Sequence, residues 1–334
     1  MKFSLTKTLL LGGMAMGAVF TTPVNAIADT TIRIAGTHAP DQYASVVLKR
    51  IKKTLEEGGV GLKVKVFPAG QLGSGEQLIG DAIRGSIDIV HAFVYSHKDP
   101  VLDIASLPYM FTNYEQMKTA YQPGSVYYDT IANSMDKMGL KLLGVTGEGF
   151  IGVMGSKKPE NYTTTDHKGM NIRVWSSPAA QSATKALGYN TTTIDWGDAF
   201  AALQQKTVDG MIGATAEATY TTFKEAVSYY VPYNAFVEST NYYASKKTWE
   251  KKLNQEQRDL IEATFAKEAL GFVEWSKGND QKYLDKLKQD GVEILPISQE
   301  EVSKIAGKIR EVTWPVMEER LGKELLTKLK DSLK

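Results

Sequence analysis

The sequence of 334 residues contains no cysteine and only four histidines. The absence of cysteine excludes disulfide bonds, thiolate metal sites, cysteine nucleophiles and a lipid-modified cysteine behind a leader peptide. The histidines are His38, His91, His97 and His167, and none stands at a spacing typical of a metal site. The sequence therefore predicts no cofactor and no metal ligands, and whether a metal ion assists binding stays open.

An excess of charge is also missing. The chain has 39 Lys and Arg residues against 38 Asp and Glu residues, a formal net charge of +1. Proteins that bind nucleic acid or an anionic membrane surface through their charge carry a basic excess, so neither partner is predicted. The Gly-x-Ser-x-Gly motif of hydrolases and the phosphate-binding Gly-x-x-x-x-Gly-Lys loop are absent as well. No residues are therefore assigned to catalysis.

The one long apolar run lies at the N-terminus. Lys2 and Lys7 precede an apolar stretch at 9–20, and small residues follow that allow cleavage after Ala26 or Ala28. The run is too short to span a bilayer, which takes roughly 20 residues. Residues 1–28 are therefore predicted to be a cleaved signal peptide, and the mature chain is predicted to be exported, without stable membrane insertion.

Strands and helices alternate in the first part of the mature chain. Strands are predicted at 31–35, 62–67 and 87–91, and helices at 41–57 and 74–84. Ser74 and Gln77 form the pattern of a capping box at the start of the second helix. The β-α-β-α-β order predicts an α/β sheet with helices on its faces.

Ligands of such sheets bind beyond the carboxyl ends of the strands, where the loops converge. This rule selects His38 and Gln42 after the first strand and Tyr95 after the third. A solvated loop position is the alternative for His38. Tyr95 suits a pocket wall, because it has an apolar body and a polar tip, but it suits a half-buried core position equally well.

Arg173 is the main candidate for binding an anion. It stands in a predicted strand between Ile172 and Val174, so its side chain points away from the face that takes these two residues. A guanidinium group binds a carboxylate or sulfonate through two parallel hydrogen bonds and stays charged when partly desolvated. Trp175 shares the face of Arg173, and the hydroxyl group of Ser176 lies where the strand ends. A solvated surface arginine is the alternative.

Three segments carry a family resemblance. Residues 168–213 contain Lys-Gly, Ile-Arg-Val, Ala-Leu-Gly, Ala-Leu-Gln-Gln and Val-Asp-Gly in this order. Residues 67–73 read Phe-Pro-Ala-Gly-Gln-Leu-Gly and lead to Gly-Ser-Ile-Asp at 85–88, and residues 107–111 read Leu-Pro-Tyr-Met-Phe. Together they resemble the solute-binding proteins of the tripartite ATP-independent periplasmic (TRAP) transporters, over roughly the whole mature chain.

The resemblance implies a two-lobed α/β fold of the periplasmic-binding-protein (Venus-flytrap) type, with crossing strands and a long helix that bridges the lobes. The first lobe would comprise 29–148 and about 240–276, and the second about 149–239 and 277–334 with the C-terminal helices. The implied protein is a periplasmic receptor without enzymatic activity. A monomer is expected, and the oligomeric state stays open from the sequence. The receptor would capture a small organic anion, with Arg173 on the carboxylate, and deliver it to the TRAP membrane permease subunits.

The sequence departs from the family's pattern at two positions. Ile151 stands where many members have a second arginine, and Gly213 stands where many have an asparagine, so that Gly213 offers the ligand only its backbone. A single arginine favours a small monoanion, namely a monocarboxylate, a hydroxy or keto acid, or a sulfonate. The glycine-rich segment 147–152 is a predicted domain crossing, and Phe150 within it is a further candidate for the site. Glu148 could instead receive the cationic end of a zwitterion.

Two other functions stay open from the sequence. One is an exported α/β hydrolase or lyase that acts on a small acid, and the other is a receptor for a partner protein such as a sensor kinase. Turnover of a bound acid would favour the first, and a large exposed apolar patch would favour the second.

Overall fold

A computed structural model describes Met1 and residues 29–333. The predicted signal peptide, apart from Met1, lies outside the described residues. Within the described part of the chain, no helix has the length and the apolar character that crossing a membrane requires.

The described residues form two β-sheets flanked by helices. The strands are β1 (Thr30–Gly36), β2 (Leu62–Phe67), β3 (Ile89–Ala92), β4 (Leu140–Val145), β5 (Gly149–Gly155), β6 (Asn171–Val174), β7 (Asn190–Thr193), β8 (Gly210–Ala214), β9 (Tyr229–Glu238), β10 (Asn241–Ser245) and β11 (Glu293–Ile294). The α-helices are α1 (Tyr43–Glu57), α2 (Gly75–Arg84), α3 (Tyr114–Ala120), α4 (Val126–Lys137), α5 (Pro178–Ala186), α6 (Trp196–Gln204), α7 (Ala216–Ala218), α8 (Lys246–Lys251), α9 (Gln255–Gln289), α10 (Gln299–Leu321) and α11 (Lys323–Asp331).

The first sheet has five strands in the order β2-β1-β3-β10-β4. Strand β1 pairs in parallel with β2 and β3, whereas β10 runs antiparallel to both of its neighbours. Strand β10 therefore joins this sheet only after the chain has passed through the second one. We call this sheet and the helices on it the first lobe.

The second sheet has six strands in the order β11-β9-β5-β8-β6-β7. The part of this sheet formed by β8, β6 and β7 is parallel, since β6 pairs in parallel with both of its neighbours. Strand β5 runs antiparallel to β8 and β9, so the two strands that enter and leave this sheet lie side by side. We call this sheet and its helices the second lobe.

Two short segments connect the sheets, and we call them together the hinge: residues 146–148 and 238–240. They are hydrogen-bonded to each other, because Thr146 N donates to Thr240 O at 2.9 Å and Glu148 N donates to Glu238 O at 2.8 Å. The long helix α9 is a third connection: Phe265 packs in the core of the first lobe and Leu287 in that of the second. The predicted two-lobed fold with crossing strands and a bridging helix is confirmed.

Local signals in the sequence explain several boundaries. The predicted capping box is confirmed, since Ser74 Oγ accepts from Gln77 N and Gln77 Oε1 accepts from Ser74 N. The stretch 113–138 does not form one continuous helix, because α3 and α4 are separate helices. Pro123 and Gly124 lie between them, and Gly124 has a φ of 89° that a helix does not allow.

The C-terminal helices contact both lobes. Helix α10 packs on α5 of the second lobe and on a 3₁₀ helix, Pro100–Ser106, of the first. Helix α11 buries Leu326 and Leu329 in a cluster that includes Met135 of α4. The lobe boundaries stay a prediction, but the last helix packs against the first lobe, whereas the sequence analysis assigned it to the second.

Candidate ligand-binding site

A cavity of about 540 Å³, with its open mouth included, is lined by both lobes and by the hinge. The lining residues are Thr37, His38, Phe93, Tyr95, Ile151, Arg173, Trp175, Trp196, Gly213, Val237, Glu238 and Thr240. Flat apolar side chains dominate this wall, and a few polar groups stand among them. Such a lining is typical of a site for a small molecule.

Arg173 is a buried cation of this wall, since the residue is only 2% exposed. Its Nε donates to Ile194 O at 2.8 Å, its Nη1 donates to Ile212 O at 3.5 Å, and its guanidinium carbon lies 5.7 Å from the centre of the Trp196 ring. No carboxylate of the described residues forms an ion pair with it. Burial lowers the pKa of Arg173 to about 10, so the group is still charged at neutral pH.

The backbone around Arg173 is built to leave it room. Arg173 pairs with Thr192 on β7 and with Met211 on β8. Two residues further along β8, Gly213 has a φ of 124°, and a Cβ atom there would lie 2.9 Å from Arg173 Nη1 and 3.3 Å from Trp175 Cε3. The backbone conformation therefore favours glycine at position 213, and an added Cβ atom would also press on Arg173 and Trp175.

Trp175 joins the two lobes as well as lining the cavity. Its Nε1 donates to Ser106 Oγ of the first lobe at 3.0 Å. Its ring packs edge to face against Phe93, also of the first lobe, with 6.3 Å between ring centres. Beside it, Ser177 Oγ donates to Asp103 Oδ1 at 2.6 Å. The structure thus shows the two lobes in contact beside the cavity.

A buried cluster of two histidines and a carboxylate supports the hinge side of the cavity. His38 Nε2 lies 2.8 Å from Glu148 Oε2, and His91 Nε2 lies 3.5 Å from Glu148 Oε1. The two imidazole rings are stacked with 4.9 Å between their centres. The hydroxyl group of Thr240 contacts His91 Nε2 at 2.7 Å and also hydrogen-bonds to Glu148.

The pKa values of the two histidines are shifted in opposite directions. Burial on its own would lower the pKa of His38, but the Glu148 carboxylate outweighs it and raises that pKa to about 9. Burial lowers the pKa of His91 to about 4. Burial would raise the pKa of Glu148, but His38 and then His91 hold it well below its usual range. At neutral pH the cluster is thus a His38–Glu148 ion pair next to a neutral His91.

The residues of this cluster, two histidines and a carboxylate, are also of the types that bind metal ions. Within residues 29–333, its nitrogen and oxygen atoms form a group close enough to share an ion, all within 4.8 Å of one another. These atoms already bind each other as an ion pair. In addition, Nδ1 of His38 and Nδ1 of His91 are buried without an acceptor, which metal-bound imidazoles normally have. The contacts favour an ion pair that shapes the hinge.

Glu238 is the second acid of the hinge, and sequence reasoning missed it. It lines the cavity, but its carboxyl group forms no ion pair and accepts no hydrogen bond from the described residues, and Oε2 is buried without a partner. Burial, followed by the negative charge of Glu148, raises its pKa to about 8, although His38 and Arg173 act in the opposite direction. The available signal was a single acidic residue at the end of an apolar strand.

The structure brings five of the nine predicted site residues to the cavity wall, namely His38, Tyr95, Arg173, Trp175 and Gly213. Glu148 lies behind His38, and both of its carboxylate oxygens are already bonded within the cluster. The remaining three, Gln42, Phe150 and Ser176, do not line it.

The local structure around each of these three residues differs from what a position on the cavity wall requires. Gln42 Oε1 accepts from Ala39 N at 2.6 Å and closes the turn before α1. Phe150 alternates with Ile151 along β5, so it lies on the other face and packs against Tyr114. Ser176 is followed by Ser177, whose Oγ caps α5 by accepting from Ala180 N.

Comparison with known proteins gives a consistent result. The sequence profile of the family described as "Bacterial extracellular solute-binding protein, family 7" matches residues 34–320. The 2,3-diketo-L-gulonate-binding periplasmic protein of Escherichia coli K12 is 26% identical over 209 residues, which are 62% of this chain and 61% of that protein. The ectoine/5-hydroxyectoine-binding periplasmic protein of Ruegeria pomeroyi is 23% identical over 259 residues, 76% and 75% of the two chains.

A solved structure shows the same fold. The sugar acid binding protein of Advenella mimigardefordensis, in complex with galactonate, superposes with a TM-score of 0.84 at 26% identity. The match covers 92% of this chain and 98% of that one.

Proposed function

The chain belongs to the bacterial extracellular solute-binding proteins of family 7, and we propose that it is the periplasmic receptor of a TRAP transporter for a small organic monoanion. Its family and its structural neighbours are solute receptors, so a hydrolase or lyase is not favoured. The proposal includes export by a signal peptide cleaved after Ala26 or Ala28, a monomeric state, and delivery of the ligand to the membrane permease subunits.

The unpaired charge of Arg173 carries the proposal. A buried cation without a carboxylate partner is unfavourable on its own, because burial removes its hydration. A ligand carboxylate or sulfonate supplies the missing charge together with hydrogen bonds, each worth about 1.5–3 kcal/mol when one partner is charged. A few of these, with aromatic packing, are enough for micromolar affinity, about −8 kcal/mol.

Contacts between the lobes provide the mechanism of capture. Besides the bonds of Trp175 and Ser177, Glu217 Oε1 of the second lobe accepts from Tyr43 N of the first at 2.6 Å. A ligand in the cavity contacts both lobes only when they are closed, so it binds the closed state better and raises its population. The closed, loaded form is then the one that a permease would recognise.

The lining supports a monoanion in particular. Arg173 is its one arginine, Ile151 lies where a second arginine would extend the anion site, and His38 is already neutralised by Glu148. Hydroxy acids, keto acids, other monocarboxylates and sulfonates all fit this charge. Relatives that bind 2,3-diketo-L-gulonate and galactonate support a sugar acid or a smaller hydroxy acid.

A thermal-unfolding screen of the mature protein tests the proposal. We would use lactate, pyruvate, propionate, galactonate, isethionate and ectoine as probes. A ligand at about a hundred times its Kd adds about 2.7 kcal/mol to the free energy of unfolding if it binds only the folded state. We expect one anionic class to raise the Tm and the Arg173→Ala variant to lose this effect.

The matched control is Arg50→Ala, which removes an exposed arginine paired with Glu268. It should bind as the unsubstituted protein does. Binding by Arg173→Ala within threefold of the unsubstituted protein, or no Tm shift with any anion once bound ligand has been removed by unfolding, would overturn the proposal.

A further inference from the structure

Glu238 is a half-buried acid that the function proposed above does not yet use. It is the last residue of β9 and lies in the hinge, where its backbone oxygen accepts from Glu148 N at 2.8 Å. Its side chain lines the same cavity as Arg173. A ligand held by Arg173 in this cavity is therefore also beside Glu238.

The surroundings of Glu238 do not neutralise a negative charge. The ionisable groups that act on it or are acted on by it come from both lobes and the hinge: His38, Tyr95, Glu148, Arg173, Glu217 and Tyr230. The two cations among them are not in contact with its carboxylate, and His38 is bound to Glu148. Two of the others, Glu148 and Glu217, are acids.

A carboxyl group in this position favours its neutral form. Oε2 of Glu238 is buried without a partner, which is costly for a carboxylate, and neighbouring acids add to the cost, so the group keeps its proton. The raised pKa of Glu238, about 8, agrees with this. A neutral carboxyl group carries one O–H donor, and no described residue accepts a hydrogen bond from it.

The free polar groups around the cavity are then donors on both sides. Arg173 uses Nε and part of Nη1 for backbone oxygens, and the rest of its N–H groups remain for a ligand. Glu238 offers an O–H from the hinge. Two donors that face one small cavity are complementary to a molecule with an anionic group and a second oxygen acceptor.

We propose that Glu238 binds the ligand as a neutral carboxylic acid and donates its O–H to a hydroxyl or keto oxygen beside the carboxylate that Arg173 holds. The ligand is thus a 2-hydroxy or 2-keto monocarboxylate, and it is bound together with a proton. This inference rests on the proposed function and names the substrate class of the same site. A zwitterion would require the opposite state, since its ammonium group needs an ionised Glu238.

The proposal has a defined pH dependence. Below the pKa of Glu238 the donor is present and the affinity is constant. As the pH rises through that pKa the donor is lost, and a negative charge then faces the ligand. We expect the affinity to fall up to tenfold for each further pH unit.

The test compares three probes that differ at one position: lactate, propionate and alanine carry a hydroxyl, a hydrogen or an ammonium group on the same carbon. Titration calorimetry at pH 6.5 to 9 should rank lactate above propionate and alanine last, and lactate binding should weaken above pH 8. Pyruvate should behave as lactate does. Tighter binding of alanine than of lactate would overturn the proposal.

The decisive variant is Glu238→Gln, which keeps a donor of similar shape but cannot ionise. We expect it to bind lactate within about threefold of the unsubstituted protein at pH 6.5 and to lose the decline above pH 8. If the decline persists, His38 rather than Glu238 causes it, and the proposal is wrong. A lactate affinity that depends on Arg173 but not on pH would overturn this inference while the proposed function stands.

A second measurement needs no ligand. The infrared difference spectrum between the unsubstituted protein and Glu238→Gln at pH 7 should contain the C=O band of a protonated carboxyl group. A difference spectrum that contains only carboxylate bands would overturn the proposal. If neither lactate, pyruvate nor galactonate binds, the proposed function fails, and this spectrum alone then shows whether Glu238 is neutral.

Discussion

The two walls of the cavity differ in how their ionisable groups are paired. The second-lobe wall places Arg173 and Gly213 on two adjacent strands and Trp175 directly after the first of them, and its arginine is left unpaired. The hinge wall pairs His38 with Glu148 and leaves the neighbouring Glu238 without a partner. The paired groups are bound within the protein, whereas the unpaired groups can still bind something else. Capacity for a ligand thus follows the groups that are left without a partner rather than the amount of charge.

The largest effect is expected where the paired charge of the hinge wall is broken. Glu148→Gln removes the counter-ion, so burial lowers the pKa of His38 and the ring gives up its proton at neutral pH. The contribution of the buried ion pair is lost with it, and breaking such a pair from one side costs about 3 kcal/mol. Urea unfolding at pH 7 should show this loss in the free energy of unfolding. The exposed Glu57→Gln is the control and should unfold as the unsubstituted protein does, because its pairing with Lys53 is solvated.

The pH dependence of stability sharpens the same contrast. The pKa of His38 is raised to about 9, so its stabilising contribution is complete below its ordinary pKa and is lost as the pH rises through about 9. The pKa of Glu148 is lowered, so its contribution is present above its ordinary pKa and is lost in acid. We expect a stability plateau between these limits that Glu148→Gln lacks. An unchanged profile in that variant would contradict the ion pair.

A smaller effect is expected on the second-lobe wall. Gly213→Ala forces a side chain into a left-handed conformation and against Arg173 and Trp175. Such backbone positions cost about 1–3 kcal/mol in residues with a side chain. We expect a loss of about 2 kcal/mol of stability and a lactate affinity at least tenfold weaker, measured by urea unfolding and calorimetry.

Gly197→Ala is the matched control, because its added Cβ atom meets nothing within 4 Å and its backbone is not left-handed. It should be neutral or slightly stabilising in helix α6. Equal effects of the two substitutions would show that the space around Arg173 is not specific.

The smallest effect concerns the contact between the walls. Ser106→Ala removes the acceptor of Trp175 Nε1 and keeps the indole ring in place. If this bond forms only in the closed state, its loss of about 1 kcal/mol lowers the affinity about fivefold. Ser134→Ala is the control: it breaks a bond to Asp99 inside the first lobe, so it should lower stability but not affinity. Equal affinity losses would contradict a role in closure.

The two walls also differ in how far the sequence predicts them. Arg173 and Trp175 were found because alternation along an extended segment is expected to place them on one face. The capping box of Ser74 was found because its partners are three residues apart. Such short-range rules identify residues of the second-lobe wall. The sequence also contains a short-range signal that was not used, because Pro123 and Gly124 mark the break between α3 and α4.

The hinge wall could not be predicted in this way. His38, His91, Glu148 and Glu238 come from four distant parts of the chain and meet only because the strands cross between two sheets. No local spacing relates them. Gln42 was selected by a correct rule about strand ends, but its side chain is used by the turn that precedes α1. Which of several residues at a strand end reaches the cavity depends on such turns.

The position of strand β10 has a consequence for how the chain folds. It fills the gap between β3 and β4, although residues 92 and 241 are far apart in the sequence. The first lobe therefore cannot complete its sheet while it is being synthesised, and most of the second lobe must be made first. Contacts of such long range slow folding, because the loop between them must be closed before they contribute. We expect the first lobe to complete its sheet only after the strands of the second lobe have been made, rather than on its own from the N-terminus.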